Sequence, residues 1–258
     1  MKKAKGSGRR GGPGDGEASP IHHASAKLPT GLKIVSWNLL RTIGASVEDV
    51  VQLIEREAPD LLLMQEATSQ FEGLSRHAGG HYAWAPLPGR IHGLAMWSPV
   101  PWKHPPTVSL LPPGSLIERV CQILTLGDLG IANVHLSHGQ RLNRQQLRAI
   151  SALLPPRAAV LGDFNLVGPA LLPGFRDVGP RRATHRMGDI VPLRIDRCLV
   201  RGMTCEEARV LPRERSDHRP IAVMLKHGAM PSERRFLRYR EAAAGYRHRA
   251  AALARFSR

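Results

Sequence analysis

The sequence has no apolar run long enough to cross a membrane, and Met1 to Ser25 carries charge without the apolar stretch that directs secretion. A soluble, unexported, cytoplasmic protein is the expectation. Cysteine is scarce: Cys121, Cys198 and Cys205 are an odd number, without CxxC spacing or a neighbouring histidine pair. They indicate neither a disulfide framework nor a zinc site, and buried thiols are expected instead. Acid is scarce as well. Against 37 lysines and arginines stand 21 aspartates and glutamates, a formal net charge of +16. That balance favours polyanionic partners, nucleic acid or an anionic lipid surface, and says nothing about fold.

A chain of 258 residues is most simply one domain with extensions. Residues 1–29 carry Lys2, Lys3, Lys5, Arg9 and Arg10 among Gly, Ser and Pro, too little apolar surface to order itself. A disordered basic tail is expected there, either attracting phosphate or serving as a solvated tail. From Leu32 the pattern changes. Leu32 to Asn38 is strand-like, Ser46 reads as an N-cap with Asp49 three residues on, and Val47, Val50, Val51 and Ile54 recur at helical spacing until Pro59. Asp60 to Glu66 reads as a second strand, which gives a βαβ rhythm and an α/β class. Short strands without intervening helices then follow: Tyr82 to Ala85, Leu94 to Trp97, Thr107 to Leu111, Glu118 to Leu126 and Ile131 to His135. This antiparallel stretch does not fit a simple Rossmann-like sheet.

A helix is expected from about Leu142, with Leu142, Leu147, Ile150 and Leu154 inward and Arg141, Arg144 and Arg148 outward, ended by Pro155 and Pro156. Val160-Leu161-Gly162-Asp163-Phe164-Asn165 is an apolar strand that ends in a glycine and offers a carboxylate and a carboxamide two residues apart. Alternation turns both to one side, where they can orient a water and hold a phosphate oxygen. After a Pro- and Gly-rich connection come strands over Arg194 to Val200, Thr204 to Leu211 and Ile221 to Leu225. The catalytic domain is read as 30–228. Over 229–258, Phe236, Tyr239, Ala243, Tyr246, Ala250 and Leu253 recur at steps of three and four, with Arg234, Arg235, Arg238, Arg247 and Arg249 off the stripe. That is a basic amphipathic helix, suited to docking on the domain, to nucleic acid or to an anionic membrane.

The polar landmarks Asn38, Glu66, His135, Asp163, Asn165, Asp196, Asp217 and His218 all sit at or near strand ends, where rigid strands assemble sites. Asn38, Glu66 and Asp217 are hard oxygen donors, suited to Mg²⁺ or Mn²⁺, with water and substrate phosphate completing the shell. Asp196 is a ready partner for His218, and Asp163 for an attacking water.

The ordered set Ser36-Trp37-Asn38, Gln65-Glu66, Asn133-Val134-His135-Leu136, Gly162-Asp163-Phe164-Asn165, Arg194-Ile195-Asp196 and Ser216-Asp217-His218-Arg219-Pro220 resembles the endonuclease/exonuclease/phosphatase superfamily. The resemblance covers roughly Leu32 to Leu225 and implies a four-layer sandwich of two mixed sheets flanked by helices. It implies that Glu66, Asn38 and Asp217 bind the metal and that Asp163 aligns water while Asn165 contacts phosphate. His218, oriented by Asp196, would steady the phosphate or transfer a proton, and His135 would supply a second imidazole. In deoxyribonuclease-like members that first histidine has its own carboxylate, and none appears in the matching Arg90-Ile91-His92-Gly93, which points to a phosphate ligand rather than a proton donor. Only some thirty residues separate Asp163 from Asp196, little room for long DNA-gripping loops, and the inositol phosphatase signature after Gly-Asp is missing. A Mg²⁺-dependent nuclease, acting as a monomer, is the expectation. The alternatives are a phosphodiesterase or phosphatase acting on phospholipid or small phosphoester head groups at a membrane, and a binding module without chemistry.

Overall fold

A computed structural model describes residues 31–114, 117–188 and 190–229. The basic tail expected over 1–29 and, beyond residue 229, the expected C-terminal helix lie outside the described residues. Strand β1 (Leu32–Asn38), helix α1 (Val47–Glu57) and strand β2 (Leu61–Thr68) form the expected βαβ unit, with β1 and β2 parallel. Ser46 and Asp49 close a capping box, the side chain of each accepting from the other's backbone N–H. The helix stops at Ala58, in the left-handed conformation, ahead of Pro59, which cannot continue it.

A 3-10 turn (Ser69–Gly73) and a short helix α2 (Leu74–Ala78) follow, neither of them legible in the sequence. Then β3 (His81–Pro86), β4 (His92–Ser98), β5 (Thr107–Leu110), β6 (Val120–Leu126) and β7 (Leu129–His135) succeed one another without a helix, as expected. Helix α3 (Gln140–Leu153) leads to β8 (Arg157–Asp163). The connection after Asp163 contains β9 (Arg176–Asp177) and a hairpin of β10 (His185–Met187) and β11 (Val191–Leu193), strands too short for alternation to reveal. The last strands are β12 (Asp196–Arg201), β13 (Met203–Val210) and β14 (Ile221–His227).

Two six-stranded sheets result, in the orders β13-β14-β1-β2-β4-β3 and β5-β6-β7-β8-β12-β9. Among the described residues, only β1 with β2 and β7 with β8 pair in parallel, so both sheets are mixed. Alternation sends Ile34, Leu61 and Leu63 of the first sheet against Leu124, Ile131 and Leu161 of the second. The outer faces are covered as well. Val35, Trp37, Leu62 and Met64 pack with Val50, Leu53 and Leu74 of α1 and α2, while Val134, Val160 and Leu199 pack with Leu147 and Ile150 of α3. The chain is therefore the four-layer α+β sandwich that the motifs implied, and burial on both faces explains why its central strands read as unbroken apolar runs.

Along the inner faces the chemistry changes towards one end. Beyond the apolar layer of Ile34, Leu63, Ile131 and Leu161 comes a polar one, in which Gln65 Nε2 donates to Ser36 Oγ (3.1 Å) and Asn133 Oδ1 (2.7 Å). Asn133 Nδ2 in turn donates to the carbonyls of Met64 and Ala95, at 3.0 and 2.9 Å. These buried amides fasten the two sheets together, which is affordable only because nearly all their polar atoms are partnered. Two residues further along β1, β7 and β8 stand Asn38, His135 and Asp163. Two thiols behave as expected, Cys121 and Cys198 being buried, but Cys205, on the edge strand β13, is only half-buried.

Helix α3 corrects one expectation. Leu142 is only half-buried, and the buried stripe runs Asn143, Gln146, Leu147 and Ile150. The two amides are inside because they brace loops at the site: Gln146 Oε1 accepts from Ser137 N (2.9 Å), and Asn143 Nδ2 donates to the Phe164 carbonyl. Their spacing of three within a helical stripe was the available signal.

Candidate active site

Strand direction brings the polar landmarks together. β1, β2, β7 and β8 end, and β4, β12 and β14 begin, at the same end of the sandwich, so residues spread over some 180 positions share one rim. Asp163 and Asp196 are register partners across β8 and β12, and His135 and Asp163 across β7 and β8. Gly162 permits this close approach: its φ is +140°, and a Cβ there would lie 1.9 Å from the Val134 carbonyl oxygen.

Asp163 is the focus. Its Oδ2 accepts from Asn38 Nδ2 at 3.0 Å and faces His135 Nε2 at 3.4 Å and His218 Nε2 at 3.7 Å. Its Oδ1 accepts from the backbone N–H of Asn165 at 2.8 Å. Asn165, at a φ of +48°, spends one side-chain N–H on the Leu136 carbonyl, tying the ends of β7 and β8 together. His218 Nδ1 lies 2.9 Å from Asp196 Oδ2, the expected pairing, and Asp196 is itself held through its backbone N–H by Thr184 Oγ1. Ser216 fastens the last loop: its hydroxyl donates to the Asn38 carbonyl (2.7 Å) and accepts from His218 N (3.1 Å).

These contacts set the protonation states. Burial raises the Asp163 carboxyl, to about 6, with Asp196 adding to it and His218, the Asn165 N–H and Asn38 opposing. Burial pulls the His218 imidazole down, but the charge and hydrogen bond of Asp196, together with Asp163 and Asp217, outweigh it and raise it to about 10. His135 goes the other way, held well below the usual histidine range by burial and by Arg119, His218, His92 and His138. The rim therefore pairs an imidazolium with a carboxylate and sets a neutral imidazole beside them.

The three oxygen donors are less tightly gathered. Asn38 ends β1, and Glu66 lies two residues before the end of the adjoining β2, where a bulge with a φ of +57° turns it out of the ladder. Glu66 Oε2 accepts from the backbone and guanidinium N–H groups of Arg41, at 3.2 and 3.1 Å, and Asn38 Oδ1 accepts from Leu40 N. Asp217 keeps a buried Oδ1 without a hydrogen-bond partner. Among the described residues, trios of His and Asp ligand atoms lie within 4.8 Å of one another at His185-Asp217-His218 and Asp163-Asp196-His218, and Glu66 is in neither.

Sequence reasoning missed Arg41, His185 and Arg119. Arg119 is 5% exposed, its Nε and Nη1 lack partners, and it stands in electrostatic reach of Asp163 and Glu66. A lone arginine before a strand carries no signal by itself; only pairing of the sheet aims it at the rim. His92, in the segment without an acid, is buried and held below its usual range, chiefly by burial and then by Arg41.

Residues 35–218 match the model of the Endonuclease/Exonuclease/phosphatase family. No curated protein matches. Solved structures with the same fold include an endonuclease/exonuclease/phosphatase from Beutenbergia cavernae DSM 12333, 18% identical, covering 79% of this chain and 73% of that one with a TM-score of 0.64. TDP2 of D. rerio, humanized by 14 mutations, is 19% identical over 76% of this chain and 99% of its own, with a TM-score of 0.61. The mannosyl-6-phosphatase of Bacteroides thetaiotaomicron VPI-5482 is 16% identical over 75% and 99%, also at 0.61.

Proposed function

This chain belongs to the endonuclease/exonuclease/phosphatase family and is a phosphoester hydrolase, and on that premise we propose that it is a Mg²⁺-dependent phosphodiesterase acting on nucleic acid. The supporting observation is the convergence of Asn38, His135 and His218 on one oxygen of Asp163. Asp163, ionised, takes the proton of a water as that water's oxygen bonds to phosphorus. The P–O bond to the leaving group breaks, and His218, protonated and steadied by Asp196, gives its proton to the departing oxygen. His135, neutral, hydrogen-bonds a phosphate oxygen, as do Asn165 and the unpartnered N–H groups of Arg119.

Glu66, Asn38 and Asp217 would hold the cation. Family enzymes depend on divalent metal, the donors are all oxygen, and Asp217 Oδ1 is buried without a partner, a set that suits Mg²⁺, with Mn²⁺ a close substitute. When bound, the ion supplies a positive centre for charge on the transferring phosphoryl group. Arg41, half exposed, now occupies Glu66 by a pair weak enough to yield. The net charge of +16 supports nucleic acid as substrate.

Cleavage of labelled single-stranded, duplex and abasic-site oligonucleotides with Mg²⁺ or EDTA tests this, with Asp163→Asn as the contamination control. Metal-dependent cutting by the wild type alone is expected. A folded protein that cuts none of them ends the nuclease reading. A second reading, a phospholipid head-group phosphodiesterase, draws support from the rim. Four loops at the site end carry aliphatic tips in water: Ile43, Ile91, Val167 and Ile190 are 80, 66, 63 and 84% exposed. Vesicles of anionic phospholipid and mannose 6-phosphate are therefore the companion substrates.

A further inference from the structure

Beside the proposed hydrolytic centre lies His185, a residue that the mechanism above does not use. The hairpin carrying it is fastened to the last loop of the site: His185 and His218 form an antiparallel bridge, and Arg186 N donates to the Asp217 carbonyl at 3.3 Å. The two imidazole rings lie 4.4 Å apart. His185 Nδ1 and Asp217 Oδ1 are both buried without a hydrogen-bond partner, and His185 Nδ1 stands 3.7 Å from Asp217 Oδ2, too far for a hydrogen bond. Leaving such an atom unpaired in a folded interior is unfavourable. Two in one place mark a position shaped for something else.

The third member is already oriented. A histidine that ligates a metal commonly gives its other ring nitrogen to a carboxylate, which fixes ring and tautomer. His218 has this arrangement, with Nδ1 at 2.9 Å from Asp196 and Nε2 facing Asp163 Oδ2 at 3.7 Å, and ligand atoms of His185, Asp217 and His218 lie within 4.8 Å of one another. Asp163 and Asp196 add negative charge around it. Two imidazoles and one carboxylate, leaving a position for water, is a donor set for zinc, whereas Mg²⁺ prefers oxygen throughout.

We propose that His185, Asp217 and His218 form a transition-metal site that takes Zn²⁺ in preference to Mg²⁺ and, when filled, inhibits hydrolysis by occupying His218 and Asp217. The binding stands apart from the catalytic reading; the inhibition rests on it. Calorimetry with Zn²⁺ and the full chain, with and without excess Mg²⁺, is the test. His185→Ala is expected to weaken Zn²⁺ binding about tenfold or more and to raise the half-inhibiting Zn²⁺ concentration equally, while zinc-free turnover with Mg²⁺ stays within about twofold. Unchanged zinc affinity in His185→Ala, or no zinc bound by the wild type, overturns the site. Should that variant fail to fold, zinc-edge X-ray absorption of the wild type decides: two imidazoles are expected, and none overturns it. Zinc bound through His185 without slower turnover overturns the inhibition alone. A protein inactive on every substrate offered leaves the calorimetry intact and counts against the hydrolytic reading.

Discussion

Buried charge is handled in opposite ways at the two ends of the sandwich. At the far end, Arg201, 2% exposed, spends its guanidinium on the carbonyls of Leu154, Pro155 and Pro156 and the Ser151 hydroxyl, and lies over the Phe175 ring at 4.5 Å. Glu57 there is clasped by Lys33 and Arg209, at 3.1 and 3.2 Å. At the rim, Arg119 is as deeply buried as a charge at the far end, yet two of its N–H-bearing nitrogens have no partner, and neither does one oxygen of Asp217. Native interiors rarely leave such groups unpaired without a use for them. Arg201 and Glu57 are satisfied by the fold itself, whereas the rim is shaped for an anion and a cation that the fold does not itself supply.

The largest effect should come from the centre of the rim. Asp163→Asn is expected to lower kcat/KM about a thousandfold while the protein stays folded, since it removes a base and no packing. Near-wild-type turnover would remove Asp163 from the mechanism.

One substitution made at both ends sharpens the contrast. Arg201→Met should cost about 3 kcal/mol, because several carbonyls lose their donor at once, with turnover per folded molecule kept. Arg119→Met should leave stability unchanged or raised in denaturant titration and should lower turnover, because it removes a charge that only substrate satisfies. Equal destabilisation by the two would erase the distinction.

Acid should separate the ends by sign. Burial opposes the charge of Glu57, but Lys33 and Arg209 prevail and hold its carboxyl below the usual value. A lowered folded-state pKa gives stability present above the unfolded value, near 4.5, and lost as pH falls through the folded one. Asp163, raised to about 6, has the reverse sign: its ionisation works against folding above that pH and is relieved below it. Relative to the wild type in EDTA, Glu57→Gln should therefore be worst at neutral pH and recover below about 4.5, whereas Asp163→Asn should be best at neutral pH and lose its advantage below about 6. Parallel curves would contradict the assignment.

The smallest effect is expected at the mouth. The exposed Arg41 to Glu66 pair is worth less than about 1 kcal/mol, so Arg41→Ala should barely move Tm, yet it should tighten Mg²⁺ binding by freeing Glu66. Weaker binding would mean that Arg41 belongs to the cation site's support.

The sequence by itself determined the βαβ opening, the capped helix α1, the run of strands after it and the polar residues at strand ends, because periodicity, caps and glycine act over a few neighbouring residues. It also supplied the pairing of His218 with Asp196, through chemistry and order along the chain. It was silent on the β10 and β11 hairpin, on Arg119, and on Asn143 and Gln146 turning inward from α3. Those depend on which strand end lies against which, a matter of register between segments many residues apart. Only the tertiary structure decided that Asn38, His135 and His218 meet on one oxygen of Asp163, and that His185 stands beside Asp217 with a nitrogen to spare. Local sequence fixes what a strand end carries; what it faces is set by how the two sheets pack.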